Sequence, residues 1–280
     1  MTDQRSEARP GSPTIEQLIA SLEGDAPIRQ VVVGPRWSLV TLDTSPVRAG
    51  LASTLHSPGH GEDTVRGTGS PKRYPLKARL MAEMLRSTDI LEASLGMAAL
   101  NALLNVDESR CVEVNASEIL IDKGTGRRVA IVGHFPFVDH LRAAAAQCWV
   151  LELRPGPGDV PAKHAAEILP RADVVGITGT ALLNHTYDSL LALCRQDAFV
   201  IVLGGTAPLS PVLLDTGADA VAGTRLMDPA AAAQAVAQGA SYREIPGKRL
   251  LTMMRPVDGT GHYQPNSENR REQNAHRSIR

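Results

Sequence analysis

His134 is the side chain in this chain best suited to chemistry. It directly follows the apolar run Val129–Val132, in the turn Gly133-His134-Phe135-Pro136. A histidine there can ligate a metal through either ring nitrogen or act as an acid or base. It can equally be a structural group bonded to a neighbouring turn. Glu152 stands 19 residues after Gly133, at the end of the next apolar run. Nucleotide-binding sheets place an acid at this position to hold ribose hydroxyls, although an acid at a strand end also suits plain solvation. With His134 it offers one nitrogen and one oxygen donor for a metal. Three further turns follow apolar runs in the same way: Thr178-Gly179-Thr180 with Asn184 one turn on, Gly204-Gly205-Thr206, and Gly223-Thr224-Arg225. Glycine lets a ligand approach the backbone, and threonine adds a donor and an acceptor. The backbone N–H groups of Gly179, Thr180, Gly204 and Gly205 could together hold an anionic group. Glycines also serve tight turns with no ligand at all.

The elements that would position these residues are legible as a rhythm. After about residue 116, short apolar runs at Val129–Val132, Trp149–Leu153, Val174–Ile177, Phe199–Leu203 and Ala220–Ala222 alternate with Ala-rich helical stretches near 138–146, 162–168, 181–195, 209–215 and 229–238. Such alternation predicts a parallel sheet covered on both faces, with ligands at the carboxyl ends of its strands. The fold class is thus α/β, a Rossmann-like C-terminal domain over 116–255. A smaller α+β domain over 12–115 precedes it. That domain holds a helix near 14–22 with Thr14 and Gln17 as a capping pair, a hairpin of Val31–Val33 and Trp37–Leu42 about Gly34-Pro35, and helices near 76–87 and 90–105. The last is apolar nearly all round, which marks a buried helix. Its polar exception, Asn101, could turn its amide to the ligand cleft or hold a packing contact. Residues 1–11 and 256–280 are too polar to bury a core and read as disordered tails.

Several functions are excluded or disfavoured. A net charge of −1 gives no electrostatic footprint for nucleic acid. No apolar run reaches the roughly 18 residues of a membrane span, and no signal-peptide core appears. Cys111, Cys148 and Cys194 lie far apart, as suits reduced thiols in a cytoplasm. The turn Gly-His-Phe-Pro-Phe replaces G-x-G-x-x-G, and Phe135 and Pro136 would crowd a pyrophosphate, which disfavours NAD and FAD. There is no Walker A sequence, nucleophile elbow or H-E-x-x-H helix. His185 could add a nitrogen ligand or face solvent. His56, His60, Glu62 and Asp63 cluster in a Gly-rich stretch whose spacing imposes no metal geometry.

The runs VAIVGHFPF, LELRPGPGDVPAKHAAEILPRADVVGITGTALLNHT and VLGGTAPLSPVLLDTGADAVAG resemble the heavy-metal chelation domain family of prokaryotes. Upstream, GLASTL and SLGMAALNALLN resemble the enolase-N-terminal-like domain that precedes it, so the likeness covers roughly residues 14–245. The resemblance implies a cleft between two domains and a role in metal handling or metal-cofactor biosynthesis, anaerobic cobalamin pathways included. It maps its motif positions onto Gly133–Pro136, Glu152 and Thr178–Asn184. Where relatives often read G-P-S-x-P, this chain has Gly204-Gly205-Thr206-Ala207-Pro208, which keeps Gly204 and Pro208 and departs from the pattern between them.

The expectation is therefore a small-molecule or metal-chelate binding protein, as an enzyme or not, with a metal ion or chelate as cofactor or cargo. A transferase using S-adenosylmethionine or a nucleotide, with Glu152 on the ribose, is the first alternative. A non-catalytic partner module of a biosynthetic or transport operon is the second. Assembly of identical copies is compatible with each.

Overall fold

The computed structural model describes residues 11–55 and 74–255. The remainder of both expected tails and the His56–Asp63 cluster lie outside the described residues.

Helix α1 (Pro13–Ala20) opens the fold. Its cap is Ser12, whose hydroxyl accepts from the Ile15 N–H, and not Thr14. Proline at the first helical position suits a cap one residue earlier, and the buried Thr14 hydroxyl donates instead to Asp188. The hairpin forms as expected, β1 (Ile28–Val33) against β2 (Trp37–Leu42), and β3 (Ala49–Ser53) adds a third antiparallel strand. Helix α2 (Ala78–Ala82) runs into a 3₁₀ turn at Glu83–Arg86. Helix α3 (Ile90–Leu103) follows, capped by the Asp89 carboxylate and buried along nearly all its length. It packs against β2 and β3 so closely that a Cβ built on Gly50 would lie 2.2 Å from the Ala98 carbonyl oxygen.

Strand β4 (Cys111–Val112) and helix α4 (Ala116–Gly124) lead into the larger sheet. Its parallel block comprises β5 (Arg128–Val132), β6 (Gln147–Glu152), β7 (Val160–Pro161), β8 (Val174–Thr178), β9 (Phe199–Leu203) and β10 (Ala220–Leu226). Helices α5 (Val138–Ala144), α6 (Ala165–Ile168), α7 (Thr180–Leu183), α8 (Tyr187–Leu193) and α9 (Pro211–Asp215) connect them. The spatial order of the parallel strands is β7-β6-β5-β8-β9-β10. Numbered from the first of them, this is 3-2-1-4-5-6, the order whose direction reverses between strands 1 and 4 and opens a crevice there. The crevice therefore lies at the carboxyl ends of β5 and β8.

The sheet is mixed where the sequence suggested parallel strands alone. Helix α10 (Pro229–Ala237) packs on β1 and β2 of the small sheet, with Gly34 pressed to the Val236 carbonyl, instead of crossing back along the large one. The chain then re-enters as β11 (Lys248–Met254), antiparallel to β10, with β4 antiparallel beyond it. The helix expected over 181–195 breaks into α7 and α8 at His185, whose φ of 59° lies in the left-handed region. One continuous core, from Leu18, Val40 and Met97 to Val175, Leu182 and Met253, joins the two sheets.

Candidate functional site

Strand β5 ends in Gly133, at φ 99°, a backbone region open to glycine and costly for other residues. The turn this allows carries His134 out over the sheet edge beside the end of β6. There the Glu152 carboxylate accepts the His134 backbone N–H at 2.7 Å and, with its other oxygen, the Leu153 N–H at 3.0 Å. The two strand-end residues singled out from the sequence thus meet, backbone to carboxylate. Glu152 latches the turn while the imidazole turns elsewhere.

The imidazole finds a partner that sequence spacing did not reveal. His134 Nδ1 lies 3.0 Å from Asp159 Oδ2. The Asp159 side chain is 2% exposed and that of His134 49% exposed, so the pair joins a covered carboxylate to an accessible ring. Asp159 also accepts the Gly156 N–H and an Arg142 Nη2–H, while Arg142 Nη2 reaches the Gly158 carbonyl. Burial alone would raise the Asp159 pKa. The Gly156 N–H, His134 and Arg142 outweigh it and hold the carboxyl below its ordinary value. An ionised carboxylate only accepts, so the shared proton resides on Nδ1, and in the neutral ring Nε2 carries the lone pair. No described residue takes Nε2 in a hydrogen bond. This is the arrangement in which a carboxylate orients a metal-ligating or proton-transferring histidine.

Aromatic and hydroxyl groups gather around the carboxyl ends of these strands. The Phe135 ring passes over the end of β5 towards β9, 3.4 Å from a Cβ built on Gly133 and 3.7 Å from one on Gly204, and it stacks on Phe137 at 5.3 Å. Beneath it Thr178, at the end of β8, shares a hydrogen bond with Thr180 at 3.0 Å. His134, Glu152, Phe135, Gly133, Thr178, Thr180 and Gly204 therefore gather at one edge of the sheet.

Other candidates are engaged in holding the two sheets together. Asn101 donates from Nδ2 to the Leu51 carbonyl at 2.9 Å and the Thr206 carbonyl at 3.2 Å. The buried Thr206 hydroxyl accepts the Ser53 N–H at 2.9 Å. Gly179 lies flat against the Ala207 backbone, and Gly205 against Trp37 and Tyr242, whose rings are 5.2 Å apart. Asn184 closes its own turn by accepting from Thr186 N and Oγ1, and His185 Nε2 lies 3.1 Å from the Ser87 carbonyl. Removing the Asn101 amide leaves two carbonyls without that partner, so Asn101→Ala should cost about 2 kcal/mol in urea denaturation. A variant of unchanged stability that lost ligand affinity would instead place Asn101 in the site.

A family model described as "Putative heavy-metal chelation", DUF364, matches residues 115–255, just over half of the chain. The chain belongs to the DUF364 family. A second model, DUF4213, with the same description, matches residues 15–104. An uncharacterized protein of Methanocaldococcus jannaschii is 28% identical over 223 residues, 75% of this chain and 83% of that protein. Among solved structures, a DUF364 protein of unknown function from Desulfitobacterium hafniense is 25% identical. It superposes with a TM-score of 0.71 over 86% of this chain and 96% of the other. A DUF364 protein from Pyrococcus horikoshii, 19% identical, has the same fold, with a TM-score of 0.72 over 87% and 99%.

The family description raises the question of whether these residues fit a metal. Among the described residues no three His, Cys, Asp or Glu side chains converge as a coordination shell. The donor set of the described residues in this DUF364 chain therefore does not fit a bare ion held wholly by protein ligands, which commonly needs three or four. It does fit a single nitrogen ligand. No helix among the described residues is long and apolar enough to cross a membrane.

Proposed function

We propose that this protein binds a metal already held in an organic chelate, at the mouth between an N-terminal module (12–115) and a C-terminal module (116–255), and that it serves metal handling or the building of a metal cofactor. The observation that carries this reading is the His134–Asp159 pair, an oriented imidazole whose Nε2 no described residue engages, with no group of three ligating side chains to complete a shell among the described residues. One imidazole binds a free divalent ion weakly. A metal whose other positions are filled by its own organic ligand needs only that one protein donor. The Phe135 face and the Thr178–Thr180 hydroxyls would meet the apolar and polar parts of the ligand. The nucleotide alternative draws less support, because both Glu152 oxygens already accept backbone N–H groups and Phe135 overlies the first turn.

The test is a calorimetric titration of the full chain with cobalt(II), nickel(II) and zinc(II), as free ions and as chelates of planar tetradentate ligands and of nitrilotriacetate. At least one chelate class should bind at micromolar concentration, at least 10-fold more tightly than its free ion. Free ions that bind as tightly as every chelate, or chelates that all fail to bind, would overturn the reading.

A further inference from the structure

A second group of charges gathers beyond the end of β9. Strand β9 stops at Leu203, paired with Ala222, while β10 continues to Leu226 and carries Arg225 past the edge of the parallel block. Arg225 stands directly opposite Arg249 of β11. Glu108 bridges them, with Oε1 2.8 Å from Arg225 Nε and Oε2 2.8 Å from Arg249 Nη1, and Arg249 also pairs with Glu113. Both oxygens of Glu108 are thereby engaged. Five and four residues earlier on the same segment, the Leu103 and Leu104 carbonyls accept Nη2 of a third arginine, Arg48, at 2.5 and 2.7 Å.

Arg48 differs from the other two, for it has no carboxylate partner among the described residues. It is half-buried, and burial, followed by the charge of Arg225, pushes its pKa down. The neighbours of the two arginines in the chain, Ala49 and Leu226, pack in one apolar cluster where β3 meets β10, which sets Arg48 and Arg225 in the same neighbourhood. Like charges in a partly desolvated place are unfavourable unless an anion joins them. Donors for one are present. Arg48 Nε and Nη1 and Arg225 Nη1 and Nη2 donate to no described acceptor. A planar fork of N–H groups matches the oxygens of phosphate and carboxylate.

We propose that Arg48 and Arg225 form a binding site for an oxyanion, the phosphate or carboxylate group of a small ligand. The β10 strand that carries Arg225 lies three strand spacings from β5, which carries His134, roughly 14 Å by strand geometry, and the site does not rest on the His134 reading. Arg249 stays with Glu108 and Glu113, and the two carboxylates leave one of the three positive charges for the ligand to meet.

Inorganic phosphate and acetate, each titrated against the full chain at constant ionic strength with chloride as the reference anion, test this by thermal unfolding. A saturable rise in Tm is expected with at least one of them, and the anion that acts distinguishes phosphate from carboxylate recognition. Arg48→Gln and Arg225→Gln should each raise the midpoint concentration 10-fold or more. Arg48→Lys, which retains a charge and a donor for the α3 carbonyls but loses the fork, should do the same. Arg29→Gln, which removes an exposed arginine paired with Asp43, should not, and His134→Ala should leave the anion response intact. If Arg48→Gln fails to fold, Arg48→Lys and Arg225→Gln decide the matter. No saturable shift with either anion, or a shift kept in the variants that fold, would overturn the proposal.

Discussion

Gly50→Ala should destabilise the protein by about 3 kcal/mol or more, the largest effect of any single methyl group at this helix–strand contact. The added Cβ would stand 2.2 Å from Ala98 O, 2.3 Å from Ala102 N and 2.7 Å from Asn101 C. All three are backbone atoms of α3, so no rotamer change relieves the clash. The helix itself must move off β3. It is buried nearly throughout and touches α7 on its far side, so the displacement propagates into the large sheet. It also pulls Asn101 from the Leu51 and Thr206 carbonyls. Against a total stability of about 5–15 kcal/mol for a typical domain, a fall of this size should show as a marked drop in the urea midpoint. Gly11→Ala, whose Cβ would meet only Glu16 Oε1 at 3.6 Å, provides the control and should change stability by about 0.5 kcal/mol or less. Equal midpoints for the two variants would mean that α3 and β3 are less closely packed than described.

That contact shows where sequence reading stops. The parallel strands were legible because runs such as Val129–Val132 and Val174–Ile177 are too apolar and β-branched for a surface, and the α3 run declared its own burial. The reversal at β11 was not, because direction depends on where α10 docks, and Ala-rich α10 suits either sheet. The strand-end rule found His134 and Glu152 because strand ends are fixed by the sheet. It could not find Asp159 or Arg142. Asp159 follows Arg154-Pro-Gly-Pro-Gly, a segment without period whose path is set by the Gly156 N–H and by Arg142, itself on the neighbouring helix α5. The Thr-Gly turns carry a second lesson. Gly179 and Gly205 meet backbone and aromatic rings at distances no side chain tolerates, so tight packing and ligand approach write the same residue into a sequence.

His134→Ala should lower chelate affinity on the order of 100-fold, about 2.8 kcal/mol, and Asp159→Asn by roughly 10- to 100-fold, with the overall fold kept in both. The order follows from what each removes. Alanine takes away the one imidazole that the described residues offer at this edge. Asparagine leaves the ring in place but weakens what orients it. The amide has one oxygen for three donors, His134 Nδ1, Gly156 N and Arg142 Nη2, and its own N–H₂ group is pushed towards the Arg142 guanidinium. The imidazole can then rotate or change tautomer, and Nε2 is no longer held as the acceptor. The acid limb of stability should change as well. The Asp159 pKa is lowered on folding, so its contribution is complete above the ordinary carboxylate value of about 3.9. It disappears as pH falls through the folded value. The wild type should therefore lose stability in that window, and Asp159→Asn should lose less there while starting lower at neutral pH. Isothermal titration of both variants with the chelate that binds the wild type, alongside urea denaturation from pH 7 down to pH 3, separates orientation from simple unfolding. Asp159→Asn with unchanged chelate affinity would make that carboxylate a loop anchor alone. His134→Ala with unchanged affinity would remove the imidazole from the site altogether, since no other described side chain at this edge offers a nitrogen ligand.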